Sequence, residues 1–191
     1  MICVFAGSAA GVPDDDLALS ARVGAVLAAA GRPVVYGGGS TGCMGAMAQA
    51  VLDAGGRVVG VVPTGLFPPE DLHEGVELVE TDSMHHRKQV MLELADAFVV
   101  LPGGLGTLDE VGEVLTWAQL GIHDKVTVFV DPDGYWAGLL DWVDHAVVRG
   151  YVSVPSRDFF RVVGDADGVL PAIDGFVAPR ATRGPLTPDQ Y

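Results

Sequence analysis

The chain has 191 residues, 49% hydrophobic and 19% charged, which suits one packed domain with a single ligand cleft and excludes a disordered chain. Its formal net charge is −14, with 11 Lys and Arg against 25 Asp and Glu, so it lacks the basic surface that nucleic-acid binding needs. A phosphate ligand must be met by a local arrangement, because the overall field repels it.

Ile2–Phe5 opens the chain as a short apolar strand that runs into Gly7-Ser8. After the acidic run Asp14-Asp15-Asp16, Leu19, Val23, Val26, Leu27 and Ala30 recur at helical spacing. Val34–Tyr36 reads as a second strand, followed by Gly37-Gly38-Gly39-Ser40-Thr41-Gly42 and a helix that contains Asp53. Residues 58–62 form a third strand ending at Pro63-Thr64, and residues 76–79 an edge-like one. Residues 97–101 and 126–130 are further strands, with a helix over 107–120 between them. Trp136, Leu139, Leu140, Val143 and Val147 mark a last helix. The main strands are continuous in apolar residues, as a parallel sheet covered on both faces requires.

This strand–helix alternation predicts a doubly wound, Rossmann-like α/β fold: a mostly parallel sheet with helices on both faces, in a single domain over residues 1–177. Residues 178–191 carry Pro179, Pro185 and Pro188 without periodicity and are expected to form a flexible tail. Cys3 and Cys43 are expected to be reduced, buried thiols of a cytoplasmic protein. The first basic residue is Arg22 and no apolar run approaches spanning length, so neither a signal peptide nor a membrane anchor is expected. The five histidines, His73, His85, His86, His123 and His145, lack metal-ligand spacing. No metal and no cofactor is expected.

In such folds ligands bind at the carboxyl ends of the strands. That rule selects Gly7-Ser8, the 37–42 glycine cluster, Pro63-Thr64 and residues 102–107. The cluster matches G-x-G-x-x-G at Gly37, Gly39 and Gly42, but the next strand ends without the acid that a dinucleotide ribose needs. A nicotinamide enzyme is disfavoured. A cradle of backbone N–H groups for phosphate or ribose, and a turn built for close packing, both remain open. The segment Pro102-Gly103-Gly104-Leu105-Gly106-Thr107 is more informative, because a glycine turn, a hydroxyl and a helix start together make an anion site. No lysine follows the glycines, so it is not a P-loop.

Glu110 lies three residues beyond Thr107, in a stripe with Val114 and Trp117. A carboxylate aimed at an anion site repels the ligand. It makes sense if it stabilises a developing cation or handles a proton. Met84, Arg87, Lys88 and Met91 share one helix face, pairing two cations with two soft apolar side chains, which suits a phosphate beside a purine.

Together, Tyr36-Gly37-Gly38-Gly39 with Met44-Gly45, Met84-His85-His86-Arg87-Lys88, the segment from Pro102 to Glu110, and Thr116-Trp117-Ala118-Gln119-Leu120-Gly121 resemble the LOG (Lonely guy) family. Its members are cytokinin riboside 5′-monophosphate phosphoribohydrolases, often mislabelled as lysine decarboxylases. The resemblance implies cleavage of the N-glycosidic bond of a purine nucleoside 5′-monophosphate, giving free base and ribose 5-phosphate. It implies Arg87 and Glu110 as catalytic residues. It also implies substrate contacts from Ser8, Gly38, Gly39, Glu70, Met84, Lys88, Gly103, Gly104, Leu105, Gly106, Thr107 and Thr116. A homodimer with sites near the interface follows on the same ground. His86, Leu105 and Cys43 depart from the family's usual residues, and none of these changes removes a catalytic group.

Two rivals differ in chemistry. A pyridoxal decarboxylase needs a Schiff-base lysine, and this chain has only Lys88 and Lys125, with no large cofactor domain around them. A non-catalytic nucleotide or cofactor carrier could use the same glycine-rich loops, but it has no need for Glu110.

Overall fold

The computed structural model describes residues 1–179. Its strands are β1 (Ile2–Phe5), β2 (Val34–Tyr36), β3 (Val58–Pro63), β4 (Glu77–Thr81), β5 (Ala97–Val100), β6 (Thr127–Val130) and β7 (Phe160–Val163). They form one sheet in the order β4-β3-β2-β1-β5-β6-β7, with every pairing parallel. The helices are α1 (Asp14–Ala29), α2 (Gly42–Asp53), α3 (Met84–Leu94), α4 (Leu105–Leu120), α5 (Ala137–Val148), α6 (Val154–Arg157) and α7 (Val169–Asp174). This is the doubly wound α/β architecture that the strand–helix alternation predicts.

Successive strand side chains point to opposite faces, so each central strand feeds two cores. Ile2, Val4, Val34, Tyr36, Val99 and Val128 pack on the side of α1, α2 and α7. Cys3, Phe5, Val35, Phe98, Val100 and Phe129 pack on the side of α3, α4 and α5. Every residue of β1, β2, β5 and β6 is buried, which is why these runs are continuous in apolar residues. A Cβ at Gly24 of α1 would lie 2.4 Å from the Met47 carbonyl oxygen, so only glycine lets α1 and α2 approach as closely as they do.

The differences from expectation have local causes. The helix expected over 107–120 begins two residues earlier, at Leu105, because extended Gly104 serves as its N-cap and accepts a bond from the Leu108 amide. It ends at Gly121, which is left-handed at φ 77°. The edge strand runs from Glu77 to Thr81 rather than over 76–79, and its charged Glu77 and Glu80 suit a sheet margin. Asp14, Asp15 and Asp16 form the first turn of α1, where they favour the helix dipole. β7, α6 and α7 are additions to the predicted elements. Residues 180–191, most of the expected tail, lie outside the described residues.

β1 sits between β2 and β5, so the crossovers on its two sides leave in opposite directions. The loops after β1 and β5 diverge and a crevice opens at this switch point. Phe98, fully buried on β5 beneath the crevice, stacks on Phe5 at 5.7 Å and packs against His123. Phe98→Ala is expected to lower the unfolding free energy by about 3–5 kcal/mol. Urea denaturation should show this as a lower midpoint at an unchanged slope.

Candidate active site

The carboxyl ends of β1 and β5 are tied to each other by the Gly7 amide, which donates to the Pro102 carbonyl at 3.0 Å. Above them lies a cleft of about 350 Å³. Ala6 to Ala9 line it from β1, Met44 from α2, Phe67 from the loop after β3, Met84 and Arg87 from α3, and residues 104–107 with Asp109 and Glu110 from α4. A second lobe of about 220 Å³ shares Ser8, Met44, Phe67 and Arg87 and extends to Gly37, Gly39, Asp71 and Leu72.

Arg87 and Glu110 meet at the floor of the cleft, with Nη1 3.4 Å from Oε1, and both side chains are almost wholly buried. The Arg87 Nε donates to the Val61 carbonyl at the end of β3, at 2.9 Å. Its Nη2 lies against the Gly37 Cα: a Cβ there would sit 2.1 Å from that nitrogen. Glycine at position 37 is thus a condition for the guanidinium to reach its place. The second carboxylate oxygen of Glu110, Oε2, is buried without a hydrogen-bond partner. Burial pushes the Glu110 carboxyl up to about 7, against the pull of the Arg87 guanidinium.

The α4 start supplies the opposite polarity. Its first-turn amides have no intrahelical partner and carry the positive end of the helix dipole. Thr107 is buried beside Gly103, where a Cβ would fall 2.1 Å from the Thr107 hydroxyl oxygen. The turn is held from outside by Tyr135, whose hydroxyl donates to the Gly103 carbonyl at 2.6 Å. A developing cation beside Glu110 and an anion on the turn can therefore be held a few residues apart on one helix.

Ser8, Met84, Arg87, Gly104, Leu105, Gly106, Thr107 and Glu110 come together around the cleft, and Gly39 lines the second lobe. Gly38 is buried at φ 81°, its carbonyl accepting from the His73 amide. Gly103 lies beneath the turn. Glu70 is exposed on a 3₁₀ turn and lines neither lobe. Thr116 faces a different groove, with Leu115, Trp142 and Val143. Lys88 turns to α4, its Nζ 3.0 Å from both Asp109 Oδ2 and Glu113 Oε2.

The 37–42 cluster has packing contacts as well, while its Gly37, Gly39 and Thr41 line the second lobe. The amides of Ser40, Met44 and Gly45 bond the carbonyls of Asp71, Gly7 and Thr41, and a Cβ at Gly42 would meet two carbonyl oxygens within 2.8 Å. Phe67, Asp109 and Tyr135 belong to the site or its support and are additions to the predicted residues. Phe67 follows a Gly-Leu turn signal, whereas nothing near Tyr135 in the sequence points to Gly103. His123 is a packing group: its Nε2 bonds the Val114 carbonyl, and burial lowers it to about 4. Among the described residues no group of three or more His, Cys, Asp and Glu is placed to hold a metal ion, and no helix is long and apolar enough to cross a membrane.

Residues 44–173 match the family model described as "Possible lysine decarboxylase". The chain is 43% identical to the "Probable cytokinin riboside 5′-monophosphate phosphoribohydrolase LOGL5" of Oryza sativa subsp. japonica, over 93% of this chain and 73% of that protein. It is 41% identical to the cytokinin riboside 5′-monophosphate phosphoribohydrolase of Rhodococcoides fascians, over 90% and 88%. Among solved structures, the molybdenum cofactor binding protein of Rippkaea orientalis superposes with a TM-score of 0.70 at 20% identity, covering 91% of this chain and 95% of that one. That likeness is one of fold.

The buried carboxyl of Glu110 links the cleft to stability. In the unfolded chain it ionises near 4.5, whereas in the folded chain it holds its proton up to about 7. Its contribution to stability is therefore full below 4.5, falls as pH rises between those values and stays low above them. Glu110→Gln should remove this dependence, so the variant gains on the parent as pH rises through that window. Urea midpoints for both proteins at about pH 5 and about pH 8 measure it.

Proposed function

The chain belongs to the LOG family, and we propose that it hydrolyses the N-glycosidic bond of purine nucleoside 5′-monophosphates, cytokinin nucleotides among them, to free base and ribose 5-phosphate. The observation that carries this reading is Glu110: a buried carboxylate with one unpartnered oxygen, facing the cleft beside Arg87 and three residues from Thr107.

The 5′-phosphate docks on the Gly104–Thr107 turn, where first-turn amides and the helix dipole favour an anion despite the chain's charge. This anchors the ribose over Glu110. As the bond from C1′ to the base nitrogen breaks, positive charge develops on the sugar ring and the Glu110 carboxylate stabilises it. Water adds to C1′ and gives up a proton, and the departing base gains one. Glu110 is placed to take the water's proton. Arg87 orients the nucleotide or assists departure of the base. The second lobe, bordered by Met44, Phe67 and Leu72, gives the base or a substituent on it an apolar wall.

Decarboxylation through a Schiff base fits poorly, since Lys88 is bound by two carboxylates and Lys125 donates to the Leu92 carbonyl at 2.6 Å. A carrier of the same fold has no use for a buried, unpartnered carboxylate in its cleft. A cytoplasmic setting is supported by the two buried free thiols, Cys3 and Cys43. A homodimer is supported by apolar residues left exposed in the groove that holds Thr116, Leu108 of α4 and Trp142 of α5 among them.

Incubation with AMP and with isopentenyladenosine monophosphate, followed by chromatography, should show free base from at least one of them. Glu110→Gln should lose about 10²–10³-fold in kcat. Release of base from neither nucleotide, or an undiminished rate in the variant, overturns the assignment; tight binding without release favours the carrier.

A further inference from the structure

Lys88 stands next to Arg87, and its family counterpart is implied to touch substrate. Its ammonium instead lies outside the cleft lining, 11% exposed, bound at 3.0 Å by both Asp109 and Glu113. Those two carboxylates flank Glu110: one precedes it directly, the other lies one helical turn on. Glu113 lies three residues from Glu110 and four from Asp109, so the acids of this helix repel one another, and in a chain of net charge −14 nothing remote offsets them.

We propose that Lys88 is a positioning residue: by clamping Asp109 and Glu113 it seats α4 against α3 and cancels the negative charge beside Glu110, without touching the nucleotide. This rests on Glu110 as the working carboxylate. The groups that face Glu110 are Arg87 and Lys88 from α3, Asp109 and Glu113 from its own helix, and the Cys3 thiol from β1 beneath. Burial holds the thiol protonated and is the main cause that raises Glu110; the charges beside it then set two cations against two acids. Among the described residues, Arg87 alone forms an ion pair with Glu110. Lys88 acts by engaging the two acids that oppose Glu110's ionisation. Two successive cations of α3 thus have divided roles, one at the reacting centre and one behind it.

The test is Lys88→Met in the full chain, with carboxyl-labelled glutamate followed by carbon-13 NMR. Glu110 should titrate higher by about one pH unit or more, and the acid limb of kcat for base release from AMP should move with it. KM should stay near the parent value. Lys88→Arg should restore the titration. Adding Asp109→Asn and Glu113→Gln to Lys88→Met should also bring Glu110 back towards its parent behaviour, since the acids that needed clamping are gone. That triple variant also serves if Lys88→Met alone does not fold. An unmoved titration with KM raised about tenfold overturns the proposal in favour of a direct substrate contact. A triple variant that keeps the upward shift overturns it as well. The titration needs no turnover, so a parent protein that releases no base defeats the functional assignment while leaving the role of Lys88 to be read.

Discussion

The cleft depends on one buried ion pair, Arg87 with Glu110. Two charges this far from water carry a desolvation cost that their attraction offsets only when the geometry around them is complete. Here it is complete on one side: the guanidinium is braced by the Val61 carbonyl and the Gly37 backbone. On the other side Glu110 keeps one oxygen unpartnered. The arrangement therefore holds the arginine rigidly and leaves the carboxylate with unused capacity, as expected of a group whose partner arrives with the substrate.

The pair sits where the doubly wound topology opens a crevice, and the fold supplies the other charge as well. An acidic chain has no basic patch with which to attract a phosphate, so attraction must come from groups without formal charge. The α4 start does this with amides that the helix cannot use itself, and the glycines before it let those amides be reached. Lys88 then engages Asp109 and Glu113 beside the cleft, so that each cation of α3 meets carboxylates of α4.

Much of the fold was legible because both sheet faces are covered, and strands such as Ile2–Phe5 show that plainly as unbroken apolar runs. β7 escaped because it is a half-buried edge with Arg161 inside it, and α6 because a four-residue helix carries no periodicity. In the site, Arg87 and Glu110 were legible from residue type and helical spacing. Spacing does not say which way a side chain leans once two helices pack. Lys88 reads as a cleft residue in sequence, and its ammonium reaches Asp109 and Glu113 in the structure. Thr116 lies two turns beyond Thr107 and turns to another groove. Tyr135 was invisible because its bond to Gly103 crosses from one strand–helix unit to the next.

The same all-parallel topology has a kinetic side. Ser8, Gly37, Arg87 and Glu110 arrive from four different strand–helix units, and no hairpin brings any two of them together early. Contacts between these units require closure of long loops, which makes parallel sheets slow to form. The binding surface therefore exists only when β1, β2, β4 and β5 are all docked with their helices. A chain caught partway, with α4 or α3 still undocked, lacks the Arg87–Glu110 pair, and ligand present during refolding would reward the finished molecule.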